Sequence, residues 1–144
     1  MTLLVLDANI LIRAVLGSKA PYLLYKYSQQ IEFLAPDTAF QEARDRLTQI
    51  VATRNIPVDA ALETLERVAE LVRSVDVETY SAYEAVARLR IERRDIDDWP
   101  VLATALAFSC PIWTEDTDFF GCGLATWTTD RVELFLANAR HESV

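Results

Sequence analysis

Short apolar runs alternate with stretches of helical periodicity along the whole chain. Residues 3–6 form a continuous apolar run, which is typical of a buried parallel strand, and residues 9–16 follow with a helical pattern. Strands that alternate with helices predict a parallel sheet covered by helices on both faces. Further strands are expected at 31–35, 75–77, 111–114 and 125–127, and further helices at 21–30, 37–51, 57–72, 80–94, 97–109 and 129–138.

Length and composition set the size and charge of the molecule. The 144 residues, 51% of them hydrophobic, are enough for one domain with a proper core, and we expect a single domain over residues 1–144. Acidic residues number 22 against 14 basic ones, which gives a net charge of −8. That charge argues against a protein that coats nucleic acid by attraction alone. It is compatible with acids gathered in one place around a metal.

Cysteine, histidine and targeting patterns narrow the class further. Cys110 and Cys122 cannot form a disulfide framework, and the single His141 argues against a zinc site or a histidine-based triad. The first residues lack the basic segment and cleavage site of a secretory signal. No apolar run approaches the roughly 20 residues that a membrane helix needs. We therefore expect a cytoplasmic protein with no membrane partner.

Acidic residues stand next to the predicted strands. Asp7 follows the first strand, and Asp98 opens the helix that precedes the fourth. Asp116 and Asp118 come directly after the fourth strand. Ligands of an open parallel sheet bind at the carboxyl ends of its strands, where side chains distant in sequence can converge.

Converging carboxylates repel one another at neutral pH unless a cation lies between them. Oxygen ligands without histidine or cysteine favour Mg²⁺ or Mn²⁺ over zinc. Such an ion activates water and neutralises charge on a phosphoryl group, which suits phosphodiester hydrolysis. With a metal bound, the acid excess no longer argues against a nucleic-acid substrate.

Each acid also has a purely structural interpretation. Asp7 and Asp98 can act as helix caps, and Asp116 with Asp118 can belong to an Asx turn. Glu42 lies away from the apolar stripe of its helix, so periodicity alone makes it a solvated residue. Taken singly, the residues leave both interpretations open.

Four segments in order resemble the motifs of PIN-domain nucleases. Residues 4–12 resemble the family's opening strand, in which an Asp is followed two residues later by Asn, Ser or Thr. Residues 36–42 are similar to the stretch that carries the second acid, and residues 98–106 to the third acidic segment. Residues 114–120 match the closing T-x-D-x-D-F pattern. Each motif is weak alone, but the four together span nearly the whole chain.

The resemblance implies a three-layer α/β/α sandwich with a mostly parallel sheet of about five strands. It also implies a Mg²⁺- or Mn²⁺-dependent endonuclease that cuts single-stranded RNA. The assignment of Glu42 to the site rests on the resemblance more than on the helical face that this residue occupies. In the site, Glu42 either joins the metal ligands or accepts a proton from the attacking water. Asn9 and Thr114 match the residues that orient metal-bound water. The catalytic and metal-binding acids, with Asp118 as a further member, are Asp7, Glu42, Asp98, Asp116 and Asp118.

A basic and aromatic stretch precedes the Asp98 segment. Arg88, Arg93 and Arg94 are candidates for a rim that contacts RNA phosphates, and Trp99 is a candidate for stacking on a base. The alternative is a solvated helix face paired with nearby acids. Trp113 and Trp127 alternate within apolar strands and are expected in the core.

The sequence also leads to expectations about partners and about alternative functions. Many stand-alone members resemble VapC-like toxins that an antitoxin inhibits, and others are ribonucleases with no known partner. Tyrosines at 22, 25 and 27 allow a homodimer or partner surface, or packing against the sheet. A haloacid-dehalogenase-like phosphatase would need an acid where Asn9 stands, and a receiver-like domain would need an acid pair and a later lysine. A PIN-like fold that binds nucleic acid or protein without turnover stays open.

Overall fold

The first strand of the chain lies at the centre of the sheet. The computed structural model describes residues 1–91 and 95–142. In it β1 (Thr2–Leu6) pairs with β2 (Ile31–Pro36) on one side and with β4 (Ile112–Trp113) on the other. The outer strands are β3 (Val72–Val75) beside β2 and β5 (Thr126–Trp127) beside β4. Every pairing is parallel, which confirms the predicted sheet.

One face of the sheet is covered by five helices. Leu4, Leu6 and Phe33 are almost wholly buried on this face, because alternate residues of a strand point the same way. The helices of this layer are α1 (Ala8–Leu16), α2 (Lys19–Lys26), α3 (Asp37–Thr53), α4 (Val58–Ala69) and, closing the chain, α8 (Val132–Glu142).

The opposite face is covered by the three remaining helices. Val5, Leu34 and Ile112 point to this side and are buried in a second core. The predicted three-layer α/β/α sandwich is therefore confirmed. The helices of this layer are α5 (Val77–Tyr80), α6 (Glu84–Ile91) and α7 (Trp99–Phe108).

Strand order reverses beside β1. The chain runs outward from β1 through β2 to β3, and then returns to the other side of β1 to form β4 and β5. Leu6 pairs with Trp113, so the residues that follow these two strands emerge side by side. In parallel α/β sheets such a reversal point opens a crevice for ligands.

The third strand differs from the prediction. It spans Val72–Val75, not 75–77 as expected, because the Asp76 side chain accepts a hydrogen bond from Thr79 N–H at 3.0 Å and caps α5. The predicted helix 80–94 is also wrong in part. A 3₁₀ turn (Ser81–Tyr83) separates α5 from α6, and 92–94 lie outside the described residues.

The tryptophans of β4 and β5 differ in burial. Trp113 is fully buried as predicted, whereas Trp127 is half-buried and packs on Phe135 with ring centroids 5.8 Å apart.

Among the helices in the described part of the chain, none combines the length and apolarity needed to cross a membrane.

Candidate metal centre

Asp7 lies at the junction of β1 and α1. Its Oδ1 accepts a hydrogen bond from Ile10 N–H at 3.0 Å, so the side chain caps α1. The residue is only 5% exposed. The helix cap suggested by the sequence is therefore present, and it uses one carboxylate oxygen.

Thr114 fixes the other oxygen of Asp7. Its hydroxyl donates to Asp7 Oδ2 in a short hydrogen bond, and its oxygen accepts from Asp116 N–H at 2.9 Å. Thr114 is fully buried directly after β4. Because the hydroxyl proton is given to Asp7, the side chain positions a carboxylate. The predicted contact of Thr114 with metal-bound water stays a prediction.

Asp116 and Asp118 lie on the turn that follows Thr114. Asp116 Oδ1 accepts from Asp118 N–H at 2.9 Å and caps a 3₁₀ turn (Thr117–Phe119), so the expected Asx-type contact is also present. Both side chains are half-buried. The turn thus gives Asp116 a fixed orientation beside Asp7.

Asp98 ends the short 3₁₀ turn (Ile96–Asp98) that precedes α7. Its side chain makes no capping hydrogen bond to α7. Oδ2 of Asp98 is buried, and no N–H or O–H group of residues 1–91 or 95–142 donates to it. A buried carboxylate oxygen without a donor is costly unless a proton or a cation satisfies it.

Burial and mutual repulsion alter the acidity of two carboxyls. Burial raises the pKa of Asp98 to about 8, reinforced by its contact with the Asp116 carboxyl and by the charges of Asp95 and Asp7. Burial raises the pKa of Asp7 to about 6, against the hydrogen bonds from Thr114 and Ile10, which lower it. The charges of Asp116 and Glu42 also raise the Asp7 pKa. Folding therefore concentrates negative charge that only protons or a cation can relieve.

A small cleft opens at these carboxylates. Asp7, Asn9 and Asp98 line it, with Glu42 and Arg46 from α3 on one wall. Its volume is about 40 Å³, which holds a few waters or a hydrated ion and no organic cofactor. Glu42 is exposed and lies 3.8 Å from Arg46 in an i,i+4 ion pair. Glu42 therefore faces the cleft from the solvent side.

Asp95 is a member of the cluster that sequence reasoning missed. Carboxylate oxygens of Asp95, Asp98 and Asp118 all lie within 4.8 Å of one another. The Asp95 carboxylate also accepts from Asp97 N–H at 3.0 Å and caps its own 3₁₀ turn. The sequence signal that could have identified Asp95 is its spacing, because it precedes Asp98 by three residues, which is one turn.

The donor set fits a hard divalent cation. All converging side chains are carboxylates, and Asp98 Oδ2 is the buried acceptor that a cation would satisfy. Mg²⁺ and Mn²⁺ prefer oxygen ligands of this kind. Asp95, Asp98 and Asp118 have carboxylate oxygens close enough to one another to hold such an ion. Asp7 and Asp116 as further ligands stay a prediction.

The predicted RNA-contacting residues have protein partners where they are described. Arg88 donates to Glu84 at 2.7 Å, and its guanidinium lies 5.1 Å from the centre of the Trp99 ring. Trp99 also packs edge-on against Tyr80, with centroids 5.6 Å apart. These contacts support the solvated-face alternative, and RNA contact by Arg88 and Trp99 stays a prediction. Arg93 and Arg94 lie outside the described residues.

Comparison with known proteins decides the family. A family model for the PIN domain matches residues 5–137. The chain belongs to the PIN domain family. Members of this family are typically nucleases that use divalent metal, so the PIN domain and the carboxylate cluster agree in the chemistry that they indicate. A search of curated protein sequences finds no match.

Solved structures share the fold of this PIN domain at low sequence identity. VapBC2 of Rickettsia felis, crystallised on a promoter DNA fragment, has a TM-score of 0.69 at 12% identity, covering 88% of this chain and 98% of its own. PAE2754 of Pyrobaculum aerophilum has a TM-score of 0.69 at 18% identity, covering 97% and 90%. FitAcB of Neisseria gonorrhoeae has a TM-score of 0.66 at 20% identity, covering 88% and 97%. At these identities the likeness establishes the fold.

Proposed function

We propose that this PIN domain is an endoribonuclease that hydrolyses phosphodiester bonds of single-stranded RNA with Mg²⁺ or Mn²⁺. One observation carries the proposal: Asp7, Glu42 and Asp98, from three separate segments, line one cleft, and Asp98 Oδ2 is buried there without a donor among residues 1–91 and 95–142. A structural role would not require Asp98 to be buried against Asp116. RNA as the substrate would place the activity in the cytoplasm.

In the proposed hydrolysis, each side chain of the centre has a separate role. Asp7, Asp98 and Asp116 would hold the ion, and Thr114 keeps Asp7 in position through its hydroxyl. When bound, the ion supplies an activated water and charge stabilisation at the scissile phosphate. Glu42 and Asn9 both line the cleft. Glu42, on the solvent side, would accept the proton of the attacking water, and Asn9 would orient that water.

We also propose a biological role and protein partners for this chain. Several fold neighbours are toxin–antitoxin assemblies, including one complex from Klebsiella pneumoniae with a TM-score of 0.63 at 18% identity. We propose that this chain is the toxin of such a pair, with an antitoxin protein as its inhibitor. A homodimer is proposed through α2, where Tyr22 and Tyr25 are exposed.

Asp98→Asn tests the metal-dependent activity. The variant keeps the size of the side chain and removes the charge, so Mn²⁺ affinity by calorimetry and cleavage of a labelled single-stranded RNA should each fall at least tenfold. Asp59→Asn is the matched control, since Asp59 is an exposed acid in the first turn of α4. Wild-type protein that binds Mn²⁺ and RNA but never cleaves would indicate a binding module and overturn the proposal.

A further inference from the structure

A second opening adjoins the candidate metal centre and shares Asn9 with the cleft. This groove lies between α1 and the segment that follows β4, and its volume is about 510 Å³. It also shares Asp116 with the carboxylate cluster. The groove residues are Asn9, Ile12, Arg13, Glu115, Asp116 and Thr117.

Arg13 is the cation of this groove. Its side chain is exposed, and within residues 1–91 and 95–142 it forms neither a hydrogen bond nor an ion pair. The nearest acids are already engaged, because Glu115 accepts a hydrogen bond from Thr129 N–H at 2.6 Å and Asp116 belongs to the cluster. A guanidinium without a partner beside a candidate metal centre is available for an anion.

Arg46, on the wall of the cleft, differs from Arg13 because it has an acidic partner. It already lies 3.8 Å from Glu42, which offsets its charge. Arg13 and Asn9 are four residues apart on α1, so they share a helix face and are separated by about 6 Å along its axis. The groove therefore leads from the centre to a free arginine about one helical turn away.

We propose that the groove carries the phosphodiester backbone of single-stranded RNA away from the metal centre, and that Arg13 binds the phosphate next to the scissile one. This inference rests on the proposed function. Guanidinium groups bind phosphate through paired, charge-assisted hydrogen bonds. The single aliphatic lining residue, Ile12, is 8% exposed, so the groove offers a peptide little apolar surface to bury.

The acids of the groove make this contact dependent on the metal. Asp116 and Glu115 outnumber Arg13, so the groove repels phosphate until a divalent ion reverses the local charge. RNA binding at Arg13 should therefore require the ion. Asp98→Asn, which weakens the ion site, should weaken RNA binding even though Asp98 does not line the groove.

The salt dependence of RNA binding tests Arg13. Binding of a fluorescent single-stranded RNA is measured by anisotropy with Ca²⁺ in place of Mg²⁺, over a range of KCl concentrations. Arg13→Gln should weaken binding about tenfold, and the slope of log K against log salt should become shallower by about 0.7, the loss of one phosphate contact. Arg67→Gln, at an exposed arginine in the last turn of α4 that does not line the groove, should leave both quantities at wild-type values.

The outcomes separate this inference from the proposed function. If the wild type cleaves RNA and Arg13→Gln binds RNA with the same slope as Arg67→Gln, the groove is not the path of the backbone and the proposed function stands. If the wild type neither binds nor cleaves RNA with Mn²⁺ present, both proposals fail. A melting temperature measured for each variant shows whether a lost contact reflects unfolding, and Arg13→Lys should restore part of the slope.

Discussion

Thr114 shows how much of the centre depends on one side chain. A single hydroxyl donates to Asp7 and accepts from Asp116 N–H, so it joins the ends of β1 and β4. The bond to Asp7 is buried and the bond from Asp116 N–H is partly buried, so an unsatisfied polar group at either place is costly. The orientation of Asp7 is therefore inseparable from the conformation of the Asp116 turn.

Replacing Thr114 with Val should reduce activity and stability together. The variant keeps the shape but leaves Asp7 Oδ2 and Asp116 N–H without their partner. We expect about 1–3 kcal/mol lower free energy of unfolding and a 10- to 100-fold loss of Mn²⁺ affinity, measured by urea denaturation and calorimetry. Thr114→Ser retains the hydroxyl and should stay close to wild type. Equal behaviour of the two variants would show that the hydroxyl does not position Asp7.

Glu42 calls for a different measurement, because it faces the cleft from solvent. Glu42→Gln should lower kcat for RNA cleavage about 100-fold while Mn²⁺ affinity changes less than threefold, as expected of a proton acceptor. Glu66→Gln on the exposed side of α4 is the control. Unchanged kcat in Glu42→Gln would make Glu42 a surface partner of Arg46. An equal loss in affinity would make it a ligand.

The acids at strand ends could be found from sequence, whereas their environments could not. Asp7, Asp98 and Asp116 follow from apolar runs and from order along the chain, and the structure brings them together. Asp95 was missed because a carboxylate that caps its own turn looks the same in sequence as one that faces a neighbour. The Arg88–Trp99 contact depends on how α6 packs on α7, which periodicity does not specify.

At the scale of elements, β3 was predicted less well than β1 and β2. β1 and β2 are rich in apolar residues and appeared where expected, because both faces are covered. β3 lies at an edge with Arg73 and Ser74 exposed, so its pattern resembles the end of the preceding helix. The turn between α5 and α6 arises from packing against α7, which overrides local helical periodicity.

Tyr80 joins the two helical layers across the top of the sheet. Its hydroxyl, on α5, donates to Asp37 Oδ1 at the first residue of α3 at 2.7 Å. Tyr80→Phe should lower the free energy of unfolding by about 1 kcal/mol while Mn²⁺ affinity is unchanged, measured by urea denaturation and calorimetry. Tyr83→Phe, at an exposed position, should change neither. A large loss of Mn²⁺ affinity in Tyr80→Phe would mean that the layer contact also shapes the centre.

At the scale of the whole molecule, several acids gather at the carboxyl ends of the strands. The net charge of −8 excludes strong attraction of RNA by the surface as a whole. The acids that converge on the cleft account for a substantial part of that imbalance. Attraction of RNA is therefore expected to be local and conditional on a bound cation.

The pH dependence of stability should report the buried acids. Asp7 and Asp98 have folded pKa values of about 6 and about 8, both above the ordinary value of 3.8, so the folded state binds their protons more tightly. Stability of the metal-free protein is then lost as pH rises from about 4 to 8. The melting temperature at pH 5.5 should exceed that at pH 8 by about 5 °C.

Two comparisons check this origin of the pH dependence. Asp98→Asn removes the group with the higher pKa and should flatten the profile between pH 6 and 8. Mn²⁺ should raise the melting temperature of wild type more at pH 8 than at pH 5.5, because protons compete with the ion. An unchanged profile in Asp98→Asn would assign the pH dependence to other groups.

The pairing of β1 with β4 also determines when the centre can exist during synthesis. Asp7 and Thr114 are separated by 107 residues, and β1 gains its neighbour β4 only from the last third of the chain. Contacts between distant segments form late in folding, and a chain emerging from the ribosome folds from its amino end. A nascent chain could pair β1 with β2 while Thr114 and Asp116 are still unmade. Under the proposed ribonuclease function, such a chain would not cut RNA until β4 and the Asp116 turn have joined Asp7.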